Sequence, residues 1–164
     1  MAVVSDTSPI LALSAIGHLD LLEAQFGEVL IPDAVQNELK TETDFTGAKN
    51  IREALKKGWL IVQPVQNTHL AQALAMELDY GEAEAIALAV ETQSQIILLD
   101  ENDGRSKARA MGLQPIGVLG ILLRAKKNGE IDSLKAVIEA LQNEVGFFIA
   151  EDLIHDILRQ AGEF

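Results

Sequence analysis

Short apolar runs alternate with longer stretches in which apolar residues recur every three or four positions, as far as about residue 116. That alternation predicts an α/β domain with a central, mostly parallel sheet. The first strand covers about residues 2–5, and a helix follows from Pro9, whose missing N–H is harmless in a first turn. "GEVLIP" reads as a second strand, and "PDAVQNELK" opens a helix at Pro32. "TDFTGAKNIREALKKG" predicts an exposed helix stopped by Gly58, "WLIVQPV" is a strand, and Thr68 is expected to cap the helix in "LAQALAMEL". "YGEAEAIALAVETQ", rich in Ala and Leu, is the strongest helical signal. "QIILLD" is a continuous apolar strand, suited to burial on both faces. A polar "ENDG", a helix near 106–111, a strand near "QPIG" and helices around 119–127 and 133–144 come next. "GFFIA" reads as an edge strand or a turn, and "EDLIHDILRQ" as a last helix with Leu153, Ile154, Ile157 and Leu158 on one face.

With 164 residues and 48% hydrophobic content, the chain is expected to form one domain over 1–164, with a C-terminal helical extension from about 130. Cysteine is absent, so there is neither a disulfide framework nor a thiolate metal site. The apolar stretch "VVSDTSPILALSAIG" is broken by Asp6 and Pro9 and falls short of the ~20 residues of a membrane helix. No charged n-region of a signal peptide precedes it, and a cytoplasmic protein without membrane attachment is the expectation.

Charge complicates this picture. Twenty-five acids against 13 bases give a net charge of −12, the wrong sign for gripping nucleic acid by charge alone. Either the acids merely solubilise the surface, or several gather where cations neutralise them.

Their placement favours gathering. Two strands end in Asp, at Asp6 and Asp100, and ligands of open parallel sheets bind beyond the carboxyl ends of strands. Taken singly, Asp6 also fits a helix cap and Asp100 a turn residue. Glu82, Ala85, Ile86 and Ala89 share one helix face, so Glu82 extends an apolar stripe. A buried carboxylate is costly unless it is paired or holds a metal, although Asp79 and Glu82 are also spaced as a capping box. Glu38 sits at the rim of its helix's apolar face. Converging carboxylates raise one another's pKa, and a hard divalent cation such as Mg²⁺ relieves that strain through oxygen ligands. Such an ion activates water and stabilises the leaving oxygen of a phosphodiester. His18, His69 and His155 are scattered without metal-ligand spacing.

At these residues the chain resembles the PIN-domain superfamily, and within it an uncharacterised branch similar to VapC-type toxin ribonucleases. The likeness is carried by "VVSDTSPILAL", "PDAVQNELK", "YGEAEAIALA" and "IILLDENDGRSKARAMGL", continued by "PIGVLGILLRAKKNGEI". It implies a three-layer α/β/α fold and a Mg²⁺- or Mn²⁺-dependent endoribonuclease, with Asp6, Glu38, Glu82 and Asp100 as the acidic cluster. It also implies a metal held by Asp6, Asp100, Glu82 and Asp103, with the fourth acid open among Asp100, Glu101 and Asp103. Thr7 and Ser8 fall where the family places small polar residues that order the site, and Arg105 and Lys107 are candidates for backbone phosphates. An RNA substrate, an antitoxin partner and a homodimer follow from the same likeness. The competing expectation is a PIN-like RNA-binding or regulatory protein that acts through a partner without turnover. A haloacid-dehalogenase-type phosphotransferase needs a second Asp two residues after the first, where Ser8 stands.

Overall fold

In the computed structural model, which describes residues 2–163, five three-residue strands form one parallel sheet. They are β1 (Val3–Ser5), β2 (Val29–Ile31), β3 (Leu60–Val62), β4 (Ile96–Leu98) and β5 (Gln114–Ile116), in the order β3-β2-β1-β4-β5. Every neighbouring pair is parallel, with Val4 opposite both Leu30 and Ile97. The first strand is therefore the middle one, and its end faces the same edge as the end of β4.

Among the described residues ten α-helices cover the sheet: α1 (Thr7–Ala15), α2 (Asp20–Phe26), α3 (Asp33–Leu39), α4 (Ala48–Lys57), α5 (Thr68–Leu74), α6 (Tyr80–Glu91), α7 (Asn102–Ala110), α8 (Val118–Lys127), α9 (Leu134–Ala140) and α10 (Glu151–Gln160). Strand side chains alternate between two cores. Val3, Val29, Ile31, Leu60 and Leu98 join one with helices α1, α2, α4 and α8; Val4, Leu30 and Ile97, with Leu99 just past β4, join the other with α5, α6 and α7. The result is the three-layer α/β/α architecture expected. No described helix is long and apolar enough to cross a membrane.

The departures from expectation sit at element ends. A second helix, α2, follows a break at Gly17, whose φ of +76° suits a residue without Cβ. Helix α4 begins only at Ala48, because Gly47 turns the chain at φ +94° with no room for a Cβ beside Ser14. Asn67, not Thr68, caps α5 by accepting from the Leu70 N–H at 3.1 Å. Helix α7 starts at Asn102, four residues earlier than its polar sequence suggested. "GFFIA" forms neither strand nor sheet edge; it follows a π-helical turn over Leu141–Val145.

Several acids also serve as long-range caps of helix N-termini, where the exposed N–H groups and the helix dipole favour negative charge. Glu84 accepts from the Ala34 N–H of α3 at 3.0 Å, and Glu91 accepts from Gln66 and Asn67, just before α5, at 2.9 and 3.3 Å. Glu163 accepts from Leu134 and Lys135 of α9 at 2.7 and 3.1 Å and pairs with Lys126 at 3.3 Å. Part of the acid surplus is thus structural.

Candidate metal-binding site

Strand β1 delivers Asp6 to the carboxyl edge of the sheet, where its N–H donates to Leu98 O at 2.9 Å and ties it to the end of β4. By backbone position Asp6 is the N-cap of α1, yet its side chain makes no capping bond. It is 4% exposed, and its Oδ1 is buried without a hydrogen-bond partner. Burial lifts its pKa from 3.8 to about 7; the Thr7 amide opposes this, while Asp79, Glu38 and Asp100 add to it.

Glu82 reaches the same neighbourhood from the first turn of α6. Half of the expected capping box exists: Asp79 accepts from the Glu82 N–H at 2.9 Å. The Glu82 carboxylate itself is 5% exposed, with Oε2 buried and unpartnered. Burial raises its pKa from 4.5 to about 8, helped by Asp79, then Asp6 and Glu101. Asp100, just past the end of β4, accepts from the Val118 N–H at 3.0 Å through Oδ1, while its Oδ2 is buried and unpartnered. Burial raises its pKa too, against the Val118 amide and the Arg105 guanidinium.

Glu38 stands at the end of α3, exposed as a residue, with its carboxylate turned inward to accept a hydrogen bond from Thr7 Oγ1. Three glycines make room for these acids. A Cβ on Gly81 would lie 2.6 Å from both Glu38 oxygens, and one on Gly117 would lie 2.7 Å from Asp100 Oδ1. One on Gly104 would collide with Glu82 Oε2 and stand 3.1 Å from Leu99. Sequence reasoning missed these positions and the electrostatic part of Asp79 and Glu101. No local signal marks them, because each glycine faces an acid of a different element: Gly81 faces Glu38, Gly104 faces Glu82 and Gly117 faces Asp100.

The remaining named residues divide. Ser8 and Arg105 line a hollow that includes Asp100 and Glu101, and Arg105 Nη1 donates to Leu99 O at 3.0 Å. Asp103 and Lys107 instead line a separate depression with Glu77, to which Lys107 is paired at 2.6 Å. Of the three candidates for a fourth acid, Asp100 bears on Asp6, Glu101 bears on Glu82 and Asp100, and Asp103 is exposed in the depression beside Glu77.

The donor set suits a hard divalent ion. It is all oxygen, and three buried carboxylate oxygens from three elements lack any other partner. Among the described residues no three His, Cys, Asp or Glu side chains stand close enough together to hold a metal ion as they are placed.

An open parallel sheet with buried, mutually repelling carboxylates at its carboxyl edge defines an acidic-site α/β protein. A family model described as PIN domain (DUF3368) matches residues 2–163, and the chain belongs to that family. PIN domains are in general nucleases that use divalent metal ions. No curated protein matches the chain, and no solved structure does.

Proposed function

We propose that the chain is a divalent-metal-dependent endoribonuclease that hydrolyses RNA phosphodiester bonds, as the toxin of a toxin–antitoxin pair. The observation that carries this reading is the trio of unpartnered buried oxygens on Asp6, Glu82 and Asp100. Three carboxylate oxygens kept out of water with no hydrogen bond of their own are a standing cost, and a cation is the partner that removes it.

In this reading Asp6, Asp100 and Glu82 would hold Mg²⁺ or Mn²⁺. When bound, the ion supplies Lewis acidity and neutralises charge building on the phosphodiester. Thr7 fixes the Glu38 carboxylate beside Asp6, and Glu38 accepts the proton of the attacking water. Gly81, Gly104 and Gly117 keep the acids within reach of one another. Arg105 offers positive charge at the rim, beside Asp100. Residues 1–164 act as one cytoplasmic domain that pairs as a homodimer, and an antitoxin encoded next door covers the acidic cleft.

The test is cleavage of RNA with Mn²⁺ against EDTA, using wild type and Asp6→Asn. Cleavage lost in the variant, with its circular dichroism unchanged, supports the assignment. Unchanged metal-dependent cleavage in the variant overturns it. Metal-independent binding with no turnover in wild type leaves a regulatory RNA-binding protein.

A further inference from the structure

Beside the acids, a hollow of about 950 Å³ runs from Ser8 and Asp100 past Arg105 and Pro115 to Phe148 and Leu153. Its size falls within the roughly 300–1,000 Å³ of small-ligand sites. Phe148 is 90% exposed, the most solvent-accessible of the large apolar side chains described. It is not a loose end. Its neighbours Phe147 and Ile149 both pack into the core, and the Phe147 N–H donates to Leu141 O at 3.1 Å. Anchored on both sides, the chain alternates in-out-in and presents the Phe148 ring to the hollow.

We propose that Phe148 is a stacking platform for one base of a single-stranded nucleic acid whose backbone leaves the acidic site past Ser8 and Arg105. This rests on the nuclease reading only for what lies at the acidic end. Every base has a π-face, so one aromatic ring binds it without demanding sequence. Arg105, partly exposed next to Asp100, is the cation that lines the hollow, at the point where a phosphate would leave the acids.

The alternative occupant is a peptide, and the sheet edge argues against it. The hollow borders β5, where the Gln114 N–H donates inward to Gln95 O at 2.7 Å. The next backbone nitrogen, at Pro115, therefore faces the open edge and has no hydrogen to give. A peptide adding itself as a strand would meet a missing donor.

The experiment uses full-length protein in EDTA, so that binding is read without turnover. The probe is a short labelled mixed-sequence RNA, single-stranded or annealed to its complement, followed by fluorescence anisotropy. Phe148→Ala is expected to weaken single-strand binding about tenfold, the loss of one base–aromatic stack, with no comparable change for the duplex. Phe148→Trp should keep the affinity, and the indole emission it adds to that of Trp59 should be quenched by the single strand. Wild-type affinity in Phe148→Ala overturns the proposal, as does an equal loss for duplex. Unquenched added emission from Phe148→Trp while RNA is bound overturns it too. If Phe148→Ala binds RNA normally but sediments as a smaller species, the ring is a protein contact and the proposal falls. The two readings fail separately. Cleavage with no Phe148 effect keeps the nuclease and removes the platform; a Phe148 effect on binding with no cleavage keeps the platform and removes the nuclease.

Discussion

Replacing Asp6 with Asn should make the metal-free protein more stable, and more so as pH rises. Asp6 titrates near 3.8 in an unfolded chain and at about 7 in the fold. Well below pH 3.8 it is protonated in both states and costs nothing. As pH rises from there, the unfolded chain gives up its proton first, so stability falls, and the penalty is complete above pH 7. The shift corresponds to about 2 kcal/mol at pH 5 and about 4 kcal/mol at pH 8. Glu82 pulls the same way across a window from 4.5 to about 8. Asn keeps the shape of Asp6 without the charge, and its amide can donate to the neighbouring carboxylates. In EDTA, Asp6→Asn is expected to melt roughly 5–15 °C above wild type at pH 8, and with less than half that gain at pH 5. Thermal melts followed by circular dichroism at the two pH values, with and without Mn²⁺, give the answer. Added Mn²⁺ should raise wild type and leave the variant nearly unmoved. A variant no more stable than wild type at pH 8, or equally stabilised at both pH values, would refute the claim that Asp6 is a buried, uncompensated charge.

Other expectations follow from the same geometry. Gly104→Ala gains helix propensity in α7, yet its Cβ drives against Glu82 and Leu99, so Mn²⁺-dependent cleavage should fall at least tenfold (about 1.4 kcal/mol). Kinetics at wild-type levels would show that Glu82 has room to spare. Thr7→Val removes the donor to Glu38 while keeping the buried shape, and should lower kcat about tenfold with little change in melting temperature. Glu163→Gln weakens the cap on α9 and the bond to Lys126, costing about 1 kcal/mol in urea unfolding while cleavage stays unchanged.

The layered fold was readable because its signals are local. "IILLD" is a short, continuous apolar run that suits a strand buried on both faces, and "YGEAEAIALAV" becomes a helix so thoroughly covered that nearly every residue from Gly81 to Ala89 is buried. The missed elements depend on backbone freedom instead. Gly17 divides one apolar stretch into two helices, and Asn67 outcompetes Thr68 as a cap because its side chain reaches the Leu70 amide. At the site, the apolar-stripe argument anticipated the burial of Glu82. The glycine clearances could not be read, because Gly81 meets Glu38 and Gly117 meets Asp100 only across separate elements. Phe148 was hidden for a similar reason: "GFFIA" is a continuous apolar run in which nothing marks the one residue that turns outward, and no strand pairs with it.

The position of β1 in the middle of the sheet has a consequence for the order of assembly. Its partner β4 lies far downstream in the chain, and helices α1 to α6 intervene. During synthesis the first strand waits with one side open, and the pairing that closes it carries a large loop-closure cost. Until β4 has emerged from the ribosome, Asp6 has no Leu98 carbonyl to bind and no Asp100 beside it. A nascent chain therefore carries no assembled acidic centre, and the last long-range pairing of β1 is the step that creates one.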